Sequence, residues 1–209
     1  MWSIGQSRPR SDLVEAFLVS TGVVALGEIG DKTQLLALLL AARFKRPLPI
    51  IAGILAATLV NHAIAGLVGA WITSVIGPAT LRWVLGLSFV AMAVWLLIPD
   101  KIDAAKLMPG RYGVFATTLL TFFLAEMGDK TQLATVALAA HFQNLYAVIA
   151  GTTLGMMLAD VPAVLFGDRV AQKVPARVVH GVAAAVFAIM GVIVLVGGDL
   201  NPLALGVTP

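Results

Sequence analysis

The sequence contains no cysteine. Disulfides and thiolate metal sites are therefore excluded. It is also short of charge: 12% of its 209 residues are Asp, Glu, Lys or Arg, where a soluble domain carries about 25%. A soluble chain of this size could not cover its surface with so few charges. The formal charge of +3 does not point to nucleic acid, because the basic residues sit in short segments between apolar blocks, where membrane topology explains them. Neither an H-E-x-x-H run nor a Ser-His arrangement is present. That weighs against a metal-dependent membrane hydrolase without excluding one.

What the chain has in quantity is apolar surface. Hydrophobic residues make up 59% of it, and the mean hydropathy is +0.96. These residues fall in long blocks. Stretches of about 20 apolar residues cross a bilayer as helices, which satisfy their own backbone hydrogen bonds. Six segments stand out: Leu13 to Ala42, Leu48 to Ile76, Leu81 to Ile98, Tyr112 to Ala140, Leu145 to Phe166 and Val178 to Val196. The basic-then-apolar start resembles a secretion signal. However, its apolar run continues to Ala42, and its central motif recurs later, so it reads as a first membrane span. Segments one and four, at about 30 residues, would be about 45 Å long in a hydrocarbon core of about 30 Å. Each must tilt, extend into the interface, or break. Trp71, Trp83 and Trp95 lie nearer segment ends and read as interfacial anchors.

The sequence repeats. Gly27-Glu28-Ile29-Gly30-Asp31-Lys32-Thr33-Gln34-Leu35 matches Ala125-Glu126-Met127-Gly128-Asp129-Lys130-Thr131-Gln132-Leu133 at an offset of 98 residues. The same offset pairs Ile51-Ala52-Gly53 with Ile149-Ala150-Gly151, Phe44 with Phe142 and Gly69 with Gly167. The expected architecture is an all-α membrane protein with six transmembrane helices, arranged as two three-helix repeats. Residues 1–98 form the first repeat, 99–111 a cytoplasmic linker, 112–198 the second repeat and 199–209 a tail. Three is odd, so the second repeat is inverted in the membrane, as in many transporters. Loop charge sets the orientation. Arg43, Lys45, Arg46, Lys101, Lys106, Arg111, Arg169, Lys173 and Arg177 fall on one side, against Arg8, Arg10 and Arg82 on the other. The first side is then cytoplasmic and both termini lie outside.

Both motifs fall near the middle of their segments, close to the bilayer centre. If the segments are continuous helices, Glu28, Asp31 and Gln34 share one face, as do Glu126, Asp129 and Gln132. Inversion lets the two stripes face each other. Carboxylates in a membrane are costly unless paired or protonated. A shared oxygen cage for a divalent cation accounts for their doubling. Hard oxygen ligands suit Ca²⁺, Mn²⁺ or Mg²⁺ rather than Zn²⁺ or Cu⁺. Lys32 and Lys130 read as charge partners, at the i, i+4 spacing from Glu28 and Glu126. Thr33 and Thr131 offer auxiliary hydroxyl ligands, although threonine also bonds back to its own helix. Two roles are open to Gly30 and Gly128: close helix packing or a local break. His62 and Asp160 occupy matching places in the second helix of each repeat and mark a candidate proton path. Grouped carboxylates take up protons when no cation is there, and a cation displaces them, which is the minimum machinery of an antiporter.

Twin E-x-G-D-K-T motifs, each in the first helix of a three-helix repeat, resemble the Ca²⁺/Mn²⁺ exchanger family of bacterial inner membranes, Golgi and thylakoids. The resemblance covers nearly the whole chain, and no motif position departs from the pattern. It implies cation/H⁺ antiport, with Mn²⁺ export typical of bacterial members, Mn²⁺ or Ca²⁺ as substrate, and no permanently bound cofactor. The family's motif acids correspond to Glu28, Asp31, Glu126 and Asp129. The short linker and the lack of a long leader suggest a bacterial inner-membrane member. Its partners are then the lipid bilayer, a divalent cation and protons. Competing readings are uptake or a channel, a metal-dependent membrane enzyme and a non-transporting assembly factor. The last leaves the intramembrane acids without a purpose.

Overall fold

The computed structural model describes residues 10–98, 112–167 and 176–197. All regular structure among them is helical. In chain order the helices are α1 (Arg10–Glu28), α2 (Lys32–Phe44), α3 (Pro47–Val75), α4 (Pro78–Leu96), α5 (Gly113–Glu126), α6 (Lys130–Phe142), α7 (Leu145–Phe166) and α8 (Ala176–Gly197). Each of the six apolar segments is helical, and the two long ones are broken at their motifs. The α1 and α2 axes meet at 69°. Helices α3, α4, α7 and α8 are long and apolar enough to cross a membrane, and the bent α1–α2 pair makes a fifth candidate span. Helix α5 is shorter, at 14 residues. The linker 99–111, the tail 199–209 and the loop cations Arg8, Lys101, Lys106, Arg111, Arg169 and Lys173 lie outside the described residues.

Local chemistry sets the boundaries. Helices α3 and α4 each begin on a proline in the first turn, where the missing N–H has no intrahelical partner to lose. Helices α2 and α6 each stop at a left-handed residue, Lys45 at φ 52° and Gln143 at φ 51°. In each case its N–H closes on a carbonyl of the last turn, Ala41 or Ala139. These two caps are also 98 residues apart.

The exterior is apolar: Leu48, Leu67, Trp71, Val178 and Ile193 are among the exposed side chains. Trp71 and Trp83 are exposed, whereas Trp95 is half-buried between α4 and α6. The interior holds buried acids, threonines, Asn61 and His62. This inside-out distribution suits a lipid solvent.

Close packing is made by glycines at matching places. A Cβ on Gly53 would lie 2.9 Å from the Phe115 carbonyl oxygen, which seats α3 on α5. One on Gly151 would lie 2.5 Å from the Phe17 carbonyl oxygen, which seats α7 on α1. Small residues let membrane helices approach this closely. Gly66, late in α3, lies against Leu145 and Ile149 at the start of α7. Helices α4 and α8 cross where Gly86 meets Gly191, with the Phe89 and Phe187 rings 6.0 Å apart.

Two apolar cores result. One joins α1, α4, α6, the start of α7 and α8, around Val23, Phe89, Leu138 and Phe187. The other joins α2, α3, α5 and the end of α7, around Leu40, Ile54, Phe122 and Val164. The two helix breaks lie between them.

Candidate cation site

Each break is built the same way. Helix α1 keeps its bonding to Ile29, whose N–H reaches the Ala25 carbonyl at 3.3 Å. Gly30 then turns to φ 84°, Asp31 is extended, and α2 starts at Lys32. At the second break Gly128 has φ 77° and Asp129 is extended before Lys130. A left-handed φ favours glycine. Nothing lies within 4 Å of where a Gly128 Cβ would be. Of the two roles open to Gly128, the structure selects the break over packing.

The break changes what the motif residues can reach. Glu28 and Asp31 are not on one continuous helix, so the single-faced acidic stripe does not form. Glu28 closes α1, and Asp31 stands at the N-cap of α2, where its carboxylate makes no capping bond. The glutamines are drawn to the backbone. Gln34 Oε1 accepts from the Gly30 N–H at 3.0 Å, and Gln132 Oε1 accepts from the Gly128 N–H at 2.7 Å. Each satisfies an N–H that the break leaves without a helical partner. The Gln34 amide also donates to the Ala159 carbonyl on α7 at 3.0 Å. In this structure both glutamines fasten the breaks through these bonds.

The two motifs meet. One carboxylate oxygen each from Glu28, Glu126 and Asp129 lies within 4.8 Å of the others, and all three residues are buried. Glu28 accepts hydrogen bonds from both repeats: Thr33 donates to Oε2 at 2.5 Å, and Thr131 donates to Oε1. The threonines thus bind a carboxylate instead of only their own helices. Thr131 reaching across to Glu28 was not legible in the sequence, because spacing says nothing about contacts between repeats. Lys32 pairs with Asp129 across the repeats at 2.9 Å. This replaces the i, i+4 pair with Glu28 that a continuous helix would have made. Lys130 donates to the Ile98 carbonyl, just past α4, at 3.0 Å.

Several carboxylate oxygens have no hydrogen-bond partner: both of Glu126, Oδ2 of Asp129 and both of Asp160. Asp160, fully buried in α7, lies near enough for its charge to act on Glu28 and Glu126. Asp31 is buried but stands outside the close trio. His62 is fully buried with neither ring nitrogen hydrogen-bonded, so no such bond links it to the cluster. Its neighbour Asn61 donates to the Phe123 carbonyl on α5 at 3.2 Å.

Such a cluster has a definite chemistry. Buried carboxylates with free lone pairs bind either protons or a hard cation. At the breaks the C-terminal ends of α1 and α5 bring partial negative charge and the N-terminal ends of α2 and α6 partial positive charge. Broken helices around a charged centre are the arrangement by which membrane carriers hold ions. The fold is therefore that of a polytopic all-α membrane protein with a cluster of buried acids between its two broken helices.

Comparison with known proteins narrows the class. The chain matches the family of the divalent cation/proton antiporter GDT1 over residues 16–104 and 114–201, and it belongs to that family. It is 48% identical over 183 residues to a Vibrio cholerae protein named "Putative manganese exporter", covering 87% of this chain and 91% of that protein. It is 27% identical over 202 residues to the GDT1-like protein sll0615 of Synechocystis, covering 87% and 97%. Its identity to GDT1-like protein 3 of Oryza sativa subsp. indica is also 27% over 202 residues, covering 84% and 71%. No solved structure matches.

Proposed function

We propose that the chain exports Mn²⁺, with Ca²⁺ as a second substrate, in exchange for protons, and that it has no enzymatic activity or permanent cofactor. The observation that carries this reading is the buried trio Glu28, Glu126 and Asp129, which has unpartnered oxygens and is drawn from both motifs. Protons and the cation compete for those oxygens. Asp31 and Asp160 extend the negative field, and Asp160 relays protons, with His62 a second candidate for that path. Lys32 holds Asp129 until a cation displaces it. The preference for Mn²⁺ rests on the Vibrio relative's name.

In this reading the chain has six spans, with the α1–α2 and α5–α6 pairs each forming one. Residues 1–98 and 112–198 are the inverted repeats. The paired contacts Gly53–Phe115 and Gly151–Phe17, at one constant offset, support it. So does the family match in two blocks of similar length. The turn holding Lys45 and Arg46 faces the cytoplasm of a bacterial inner membrane, and both termini are outside. The test is reconstitution in liposomes under an imposed pH gradient. Mn²⁺ flux should appear with the native chain and vanish in Asp31→Asn/Asp129→Asn. An absence of proton-linked flux of any divalent cation would reject antiport.

A further inference from the structure

We propose that α4 and α8 move as one unit, leaving α1 and α6 to dock on α2 and α5, and that this motion opens the carboxylate cluster to opposite sides in turn. The proposal rests on the inverted-repeat reading above. Under that reading α1 corresponds to α5, α2 to α6, α3 to α7 and α4 to α8.

The packing of the other helices follows this correspondence: α1 on α7 mirrors α5 on α3, and α3 on α6 mirrors α7 on α2. The α4–α8 pair breaks it. Helix α4 packs on α6 and α8 on α1. The mirror contacts are α8 on α2 and α4 on α5, and neither is made to a comparable extent among the described residues. The pair belongs wholly to one of the two apolar cores. Helices α1 and α6 lie on that side of the breaks, and α2 and α5 lie on the other.

The uncovered face is visible in the exposures. Ala137 and Ala140 of α6 lie beside α4 at 5% and 1% exposure. Their counterparts on α2, Leu39 and Ala42, are exposed, Leu39 at 42%. A cleft of ≈ 610 Å³ runs along that face, lined by Leu35, Leu38 and Leu39 with Val164, Phe166 and Gly167 of α7. At the opposite end α4 covers the corresponding face and narrows it to a pocket of ≈ 270 Å³ beside Leu133, Val136 and Ala137, and Gly69 of α3, the counterpart of Gly167, lies directly against the Val136 carbonyl. The occupant the repeat assigns to the cleft is α8, seated on α2 as α4 is now seated on α6. With the loop-charge orientation, the uncovered face of α2 lies on the cytoplasmic side and the covered face of α6 on the outside.

The motif lysines tie this motion to the site. Lys130 holds the Ile98 carbonyl at the end of α4, and the corresponding pair is Lys32 with the Val196 carbonyl of α8. Docking α8 on α2 therefore draws Lys32 away from Asp129.

The chain has no native thiol, so paired cysteines test the motion cleanly. The Phe89 and His141 rings are 5.9 Å apart, and their repeat counterparts are Phe187 and Arg43. Phe89→Cys/His141→Cys should cross-link in this conformation, and Arg43→Cys/Phe187→Cys in the other. The full chain in proteoliposomes would be treated with a short thiol-reactive cross-linker. Both pairs should cross-link, each link should lower Mn²⁺ flux at least tenfold, and reduction should restore it. Trp95→Cys/Leu133→Cys and its counterpart Ile193→Cys/Leu35→Cys give an independent set if the first misfolds. The proposal is overturned if only the present-state pairs cross-link, or if linked Phe89→Cys/His141→Cys carries full flux. Cross-linking needs no transport to be read. A native chain without flux therefore overturns the antiporter reading, while the cross-links still decide whether α4 and α8 move.

Discussion

Glu126 is the sharpest test of the site, because it is fully buried and neither carboxylate oxygen has a hydrogen-bond partner. Keeping an ionised carboxylate buried without compensation costs several kcal/mol even after the protein relaxes around it. The amide of Glu126→Gln still needs partners, and an unsatisfied buried polar group costs about 1–3 kcal/mol. Set against that penalty, the amide's cost leaves the cation-free variant more stable than the native chain by on the order of 2 kcal/mol. Thermal unfolding in detergent at alkaline pH measures it. At acidic pH a proton does for Glu126 what the amide does, and the gain shrinks. Mn²⁺ at a hundredfold excess over its Kd should stabilise the native chain by about 2.7 kcal/mol and the variant by far less. The variant should also lose Mn²⁺ flux. If Glu126→Gln lowers the stability of the cation-free protein, or is stabilised by Mn²⁺ as much as the native chain, the carboxylate is structural and the site is misassigned.

Other substitutions separate the roles within the motif. Gly128→Ala should cost about 1–2 kcal/mol from its left-handed backbone alone, since it meets no neighbour, and Gly128→Asn should recover part of that in the same melt. Gly53→Ala fails for the opposite reason, contact with Thr118 Cβ at 2.8 Å, and should cost about 1–3 kcal/mol as α3 and α5 are pushed apart. Thr131→Val removes a hydroxyl from Glu28, which is worth about 1.5–3 kcal/mol to a charged acceptor; Mn²⁺ binding by calorimetry should weaken accordingly. A double-mutant cycle with Lys32→Met and Asp129→Asn should show non-additive flux and stability, whereas additive effects would mean that the 2.9 Å pair carries no coupling.

The sequence made the segment plan legible because lipid imposes long apolar runs, and the repeat legible because both motifs survive in one register. It also forced a choice for the two over-long segments, which the glycines resolve as breaks. The roles around each break were not legible. Glutamine oxygen serves equally as a cation ligand or a backbone acceptor, and only the bend places the Gly30 N–H within its reach. The lysines were legible as charge partners, but the partner of Lys32 was not. The i, i+4 rule presumes a continuous helix, and the break sends Lys32 to the other repeat's Asp129. Nor does a constant offset reveal asymmetry. Both threonines turn to Glu28 and leave Glu126 bare, a difference that lies in conformation and not in composition.

The glutamine clasp on each bend has a consequence for speed. Because Gln34 and Gln132 satisfy the exposed N–H groups from within the chain, the kinks need no ion to persist. A cation therefore arrives at a surface already shaped for it, and little ordering has to be repeated at each turnover. Loosening the clasp, as Gln34→Ala would, should slow cycling before it unfolds anything.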